Sequence, residues 1–130
     1  MELASGKLTK ITSVAIIATG ISLFIAYLIY LPAPQIFAQA NTANLGLILY
    51  CLATAGAAFV SWGLILARLD TVGFSRVQVL KASAVGLGLL GLMRLGTAMF
   101  PHQPFDQLIA VPISEFIVFS LLALKFYRTQ

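Results

Sequence analysis

The sequence predicts an all-α integral membrane protein: a four-helix up-down bundle with both termini on the cytoplasmic side. Three observations carry this. Hydrophobic residues make up 60% of the 130-residue chain. Charged residues are 9%, where a soluble domain carries about 25%. The apolar residues gather into four runs, each near the length that crosses about 30 Å of hydrocarbon at about 1.5 Å per helical residue. No soluble core of this size hides so much apolar surface, so lipid must solvate it. Isolated strands would leave backbone groups unpaired in lipid, which makes the spans helical. By length the chain is one domain, residues 1–130.

The first span is expected at about 11–31, ended by Pro32 and Pro34, which cannot continue helical hydrogen bonding. Lys7 and Lys10 before it and Ala38-Gln39-Ala40 after it imitate a secretory signal. The apolar run of 21 residues from Ile11 to Leu31 is longer than a signal core of about 7–15, so it reads as a transmembrane helix. The second span is about 45–67, with Asn44 as N-cap and a close at Arg68-Leu69-Asp70. The third is about 79–100 and stops at Pro101. The fourth is about 107–124, with Asp106 as N-cap. Pro112 inside it predicts a kink that frees the carbonyl of Leu108, with Ser114 placed to satisfy the loosened backbone. The connection at 32–44 is long enough to fold back over the bundle mouth.

Orientation follows from the basic residues. Seven of the eight, Lys7, Lys10, Arg68, Arg76, Lys81, Lys125 and Arg128, flank one side. The opposite connections, about 32–44 and 101–106, have none. The positive-inside rule puts both termini on the cytoplasmic side, and the localisation expected is a bacterial-type inner membrane, plasma or thylakoid-like. Tyr27, Tyr30, Phe100 and Phe105 then lie near the outer boundary, and Trp62, Phe126 and Tyr127 near the inner one.

Small residues mark the packing faces: Ala53, Ala57 and Ser61 with Gly56 and Gly63 in the second span, and Ala82/Gly86, Ala84/Gly88 and Gly91 in the third. Gly86 to Gly91 formally reads GxGxxG, but it lies mid-membrane with no strand before it, so it is a packing series and not a dinucleotide site. Cys51, the single cysteine, has no partner for a disulfide or a CxxC pair and is expected as a small packing residue.

Arg94 and Glu115 are the charges inside apolar spans. An uncompensated ion there costs at least about 2.5–3.5 kcal/mol. Counted along antiparallel neighbouring helices, both lie about 9–12 Å below the outer boundary and can meet facing inward. Ser83, Leu87, Gly91, Thr97 and Ala98 share the helical face of Arg94. The pair reads either as a buried salt bridge that sets helix register, as a pocket gripping a carboxylate, phosphate or carbonyl, or as a proton relay through Glu115. Arg94 could alternatively snorkel to the outer headgroups. Thr97 and His102 are expected at the outer mouth. His102, in the turn 101–104, is expected as a solvated loop side chain. With no second ligand or attachment motif no cofactor is expected, although ligation of a haem porphyrin or chlorophyll through His102 stays open. No metal site and no nucleophilic catalytic set is present at suggestive spacing. The net charge of +4 comes from residues scattered at helix ends, which argues against nucleic acid.

The second half resembles the small four-helix bacterial membrane proteins of the DoxX-like kind, in particular a related group without an established reaction. The residues that carry the resemblance are Gly88, Gly91, Arg94-Leu95-Gly96, Pro101, Pro104 and Glu115, over about residues 80–125. The resemblance implies a four-helix bundle and an inward Arg/Glu site, and it implies no reaction. The function expected from the sequence is a non-enzymatic accessory or binding subunit, partnered by the lipid bilayer and by a larger membrane complex or further copies of itself. The alternative is a membrane protein that binds a small hydrophobic or anionic ligand at Arg94 and Glu115.

Overall fold

The computed structural model describes residues 2–40, 43–68 and 75–129. Its elements are α1 (Glu2–Tyr30), a 3-10 segment (Pro34–Ala40), α2 (Leu45–Arg68), α3 (Arg76–Met99) and α4 (Ala110–Arg128). Each of the four α-helices holds a stretch long and apolar enough to cross a membrane.

α1 begins well before the apolar run, because nothing between Glu2 and Lys10 stops a helix on leaving hydrocarbon; the end at Pro32 is as expected. Asn44 precedes α2 in the left-handed region at φ 59°, a conformation asparagine tolerates, and its carbonyl accepts the amide of Ile48 at 3.1 Å. Leu69 and Asp70, expected to close this helix, lie outside the described residues. α3 starts three residues earlier than expected, after Ser75 in extended conformation.

α4 departs most from expectation, starting at Ala110 instead of 107 and running to Arg128. Asp106 is not its N-cap. The residues before it fold into a tight turn in which the His102 carbonyl accepts the amides of Phe105 (2.6 Å) and Asp106 (3.1 Å). The Asp106 carboxylate accepts only the next amide, that of Gln107, at 2.9 Å. Pro112 is consequently the third residue of α4, in the first turn, where amides have no intrahelical acceptor. It interrupts no helical bond, so the expected kink has no cause there. The Leu108 carbonyl accepts Val111, and the Ser114 hydroxyl donates to the Val111 carbonyl at 2.9 Å.

The helices form two antiparallel hairpins, α1/α2 and α3/α4, joined along α2 and α3. Lipid is as apolar as a leucine side chain, so close packing and interhelical hydrogen bonds hold the pairs. At the α1–α2 crossing a Cβ on Gly20 would sit 2.5 Å from the Gly56 carbonyl oxygen, and one on Gly56 2.6 Å from that of Gly20. The Ser13 hydroxyl donates to the Gly63 carbonyl at 2.8 Å, and Ser61 on α2 donates to the Ala82 carbonyl on α3 at 2.7 Å. Gly91 faces Ser120 across α3–α4. Gly88, expected as a packing residue, has open space before it. Cys51 is likewise exposed rather than packed.

The bundle is not closed. α4 packs along α3, and among the described residues α1 and α4 share no comparable interface. Of the α4 residues only Pro112 is buried. The apolar core, with Phe24, Tyr27, Leu31, Leu49, Ala53 and Met93, lies toward the end carrying the α1–α2 and α3–α4 connections. From the 3-10 segment Phe37 packs edge-on against Tyr30 there.

Candidate functional site

All four helices deliver a polar group to that same end. Tyr27 stands three residues before the end of α1, Tyr50 five after the start of α2, Arg94 five before the end of α3 and Glu115 five after the start of α4. At about 1.5 Å per residue these positions share a depth of roughly 5–8 Å.

Arg94 and Glu115 meet. The Arg94 Nε lies 2.5 Å from Glu115 Oε2, and the side chains are 7% and 35% exposed. The arginine therefore does not snorkel; it is buried between helices. Its Cζ sits 4.1 Å above the centre of the Tyr50 ring and 5.7 Å from that of Phe119. Such stacking suits the planar, weakly hydrated guanidinium. The Tyr50 hydroxyl crosses from α2 to α4 and donates to Glu115 Oε2 at 3.2 Å. Nε approaches the carboxylate closely but without the alignment of a hydrogen bond, and Nη1 is buried with no hydrogen-bond partner among the described residues. A buried charged donor left unmatched is expensive, so Nη1 has capacity for one further acceptor, a water or a ligand atom.

Thr97, expected at the mouth, is instead fully buried. Its hydroxyl donates to the Met93 carbonyl at 2.9 Å and lies 2.5 Å from the Tyr27 hydroxyl. Tyr27 continues the chain to His102 Nε2 at 2.8 Å. His102 is half-buried, not a solvated loop side chain. Its Nδ1 is 3.0 Å from the Gln103 carbonyl. A carbonyl only accepts, so Nδ1 carries a proton, and in the neutral ring Nε2 accepts from Tyr27; the single Thr97 proton is then shared between the Met93 carbonyl and the Tyr27 oxygen. The imidazole stands edge-on to Tyr27, Tyr30 and Phe105. Gly46 makes this possible, since a Cβ there would lie 2.8 Å from Nδ1. Both ring nitrogens are thus engaged within the protein, and a haem or chlorophyll metal would have to displace Tyr27 to reach Nε2. Among the described residues, no three His, Cys, Asp or Glu side chains gather where they could hold a metal ion.

Sequence reasoning missed Tyr50 and read Tyr27 only as a boundary aromatic. The signal was available. Both hydroxyl-bearing rings stand at the depth of Arg94 when residues are counted from the same end. Nothing in the sequence told whether they face inward.

Fold and site together define a multi-pass helical membrane protein with a buried ion pair roofed by an aromatic and hydroxyl cluster. No family model, curated protein or solved structure matches the chain.

Proposed function

We propose that this protein binds a small, largely apolar molecule through an uncharged acceptor, such as a carbonyl oxygen, at Arg94. The observation that carries the reading is the buried Nη1 donor with no hydrogen-bond partner among the described residues, on an arginine already matched in charge by Glu115. The choice among carboxylate, phosphate and carbonyl follows from that match. A second full anion would face the Glu115 carboxylate at close range in a medium of low dielectric, where like charges repel strongly. A neutral acceptor satisfies the donor without that repulsion. The rings of Tyr50, Phe105 and Phe119 suit a flat apolar body. Glu115, one-third exposed on the open side of α4, supplies the approach. The basic flanks favour an orientation with both termini cytoplasmic and the site near the outer face, in a bacterial-type inner membrane. Kinship with the DoxX-like proteins belongs to the same proposal.

The test is native mass spectrometry of protein extracted in mild detergent. A retained small molecule is expected on the parent and absent from the paired variant Arg94→Met with Glu115→Leu. Identical spectra for the two, with or without an added mass, refute the reading. A second reading, an accessory subunit that docks on a larger membrane protein, is favoured by α4, which offers apolar side chains such as Ile117, Leu121 and Leu124 on its open side. Co-purification of a stoichiometric partner lost on Ile117→Arg would support it.

A further inference from the structure

We propose that the groove between the end of α2 and the start of α3 binds the headgroup of an acidic phospholipid. This site lies at the opposite end of the molecule from Arg94 and is independent of it. The groove has a volume of about 550 Å³, within the range of small-molecule sites. Its rim is polar: Arg68 from the last turn of α2, Ser75, Gln78 and Lys81 from α3. Its wall is apolar, with Leu64 and Val85 running up the helices into the span.

Three features point to an amphiphilic anion. Lys81 is exposed, and neither it nor Gln78 uses its side chain in a hydrogen bond or ion pair among the described residues. The Ser75 hydroxyl stands at the head of α3 without capping it. Donors and positive charge therefore converge on the rim with capacity to spare. The sequence also places seven basic residues at this end against two acids, Glu2 and Asp70, so the local field favours an anion. Finally, charge and apolar wall occupy one groove. A soluble phosphate would satisfy the rim and leave the wall unused, whereas a phospholipid sets its phosphodiester at the rim and an acyl chain along Leu64 and Val85. Basic residues at the cytoplasmic end of spans attract acidic lipid in this way.

The experiment uses the full-length protein in detergent with equimolar phosphatidylglycerol and phosphatidylcholine, read by native mass spectrometry. Retained adducts are expected to be mainly phosphatidylglycerol. Lys81→Gln should lower that retention about fivefold, the loss of one basic contact at a membrane surface. Lys125→Gln makes the same change of net charge at the same end but on α4, and should change retention less than about twofold. Val85→Trp, at an exposed position, should crowd the wall and reduce retention with every charge kept. Equal retention of the two lipids overturns the proposal. So does a Lys125→Gln effect as large as that of Lys81→Gln, which would reveal a diffuse field in place of a site. Displacement of the adduct by millimolar glycerol 3-phosphate would show that the rim takes a soluble phosphate, and would also overturn it.

Discussion

Glu115→Leu would strand the Arg94 guanidinium between helices. Arg94 is 7% exposed and its Nε has the Glu115 carboxylate at 2.5 Å. Removing one member of a buried pair costs about 3–5 kcal/mol, because the surviving charge stays buried without compensation. Glu115 is itself 35% exposed, so the lower figure of about 3 kcal/mol applies, including the acceptor lost to the Tyr50 hydroxyl. For a chain of this size that is a fall in Tm on the order of 10 °C. Arg94→Met keeps the length of the side chain and its packing on Tyr50 but leaves Glu115 alone. With one-third of its surface open, that carboxylate is stranded less severely, at about 1–2 kcal/mol. The paired variant carries no charge to bury and leaves only the Tyr50 hydroxyl unmatched, at about 1 kcal/mol. The two singles thus sum to about 4–5 kcal/mol against about 1 for the pair, a coupling of roughly 3–4 kcal/mol. Thermal melts of the four proteins in one detergent, followed by far-ultraviolet circular dichroism, close the cycle. A paired variant that falls by the sum of the singles would refute the reasoning, since the two charges would then not be compensating each other.

The glycines separate packing from mere composition. Gly56→Ala should destabilise the α1–α2 hairpin by about 1–3 kcal/mol, because the new methyl meets the Gly20 backbone and cannot be accommodated by a rotamer change. Gly88→Ala meets nothing and should raise stability by about 0.5–1 kcal/mol through helix propensity; melting curves in which both lose stability equally would contradict this. Tyr27→Phe removes the hydroxyl that joins Thr97 to His102 and should cost about 1–2 kcal/mol. The same change should free the imidazole, visible as a shift of the His102 ring resonances in NMR, and unmoved resonances would show that Gly46 and the surrounding rings alone hold it.

Insertion is written along the chain. Four apolar runs, prolines after the first and third, and basic residues at alternate connections are local features, and each acts on lipid without consulting the rest of the fold. Depth is nearly as legible, because it is a count of residues at a constant rise. That count alone brings Arg94 and Glu115 to one level. It failed for α4, where a turn nucleated by the His102 carbonyl takes up residues that the apolar pattern assigned to the helix, and Pro112 moved with it from mid-span to the first turn. Rotation about each axis was decided only by the tertiary structure. A helix in water declares its buried face by a polar opposite face, but in hydrocarbon both faces are apolar and that contrast vanishes. Hence Tyr50 beneath the guanidinium, the inward Thr97, the pinned His102 and the open flank of α4 follow from which small residues let which backbones approach, and that choice is made between helices, not within one.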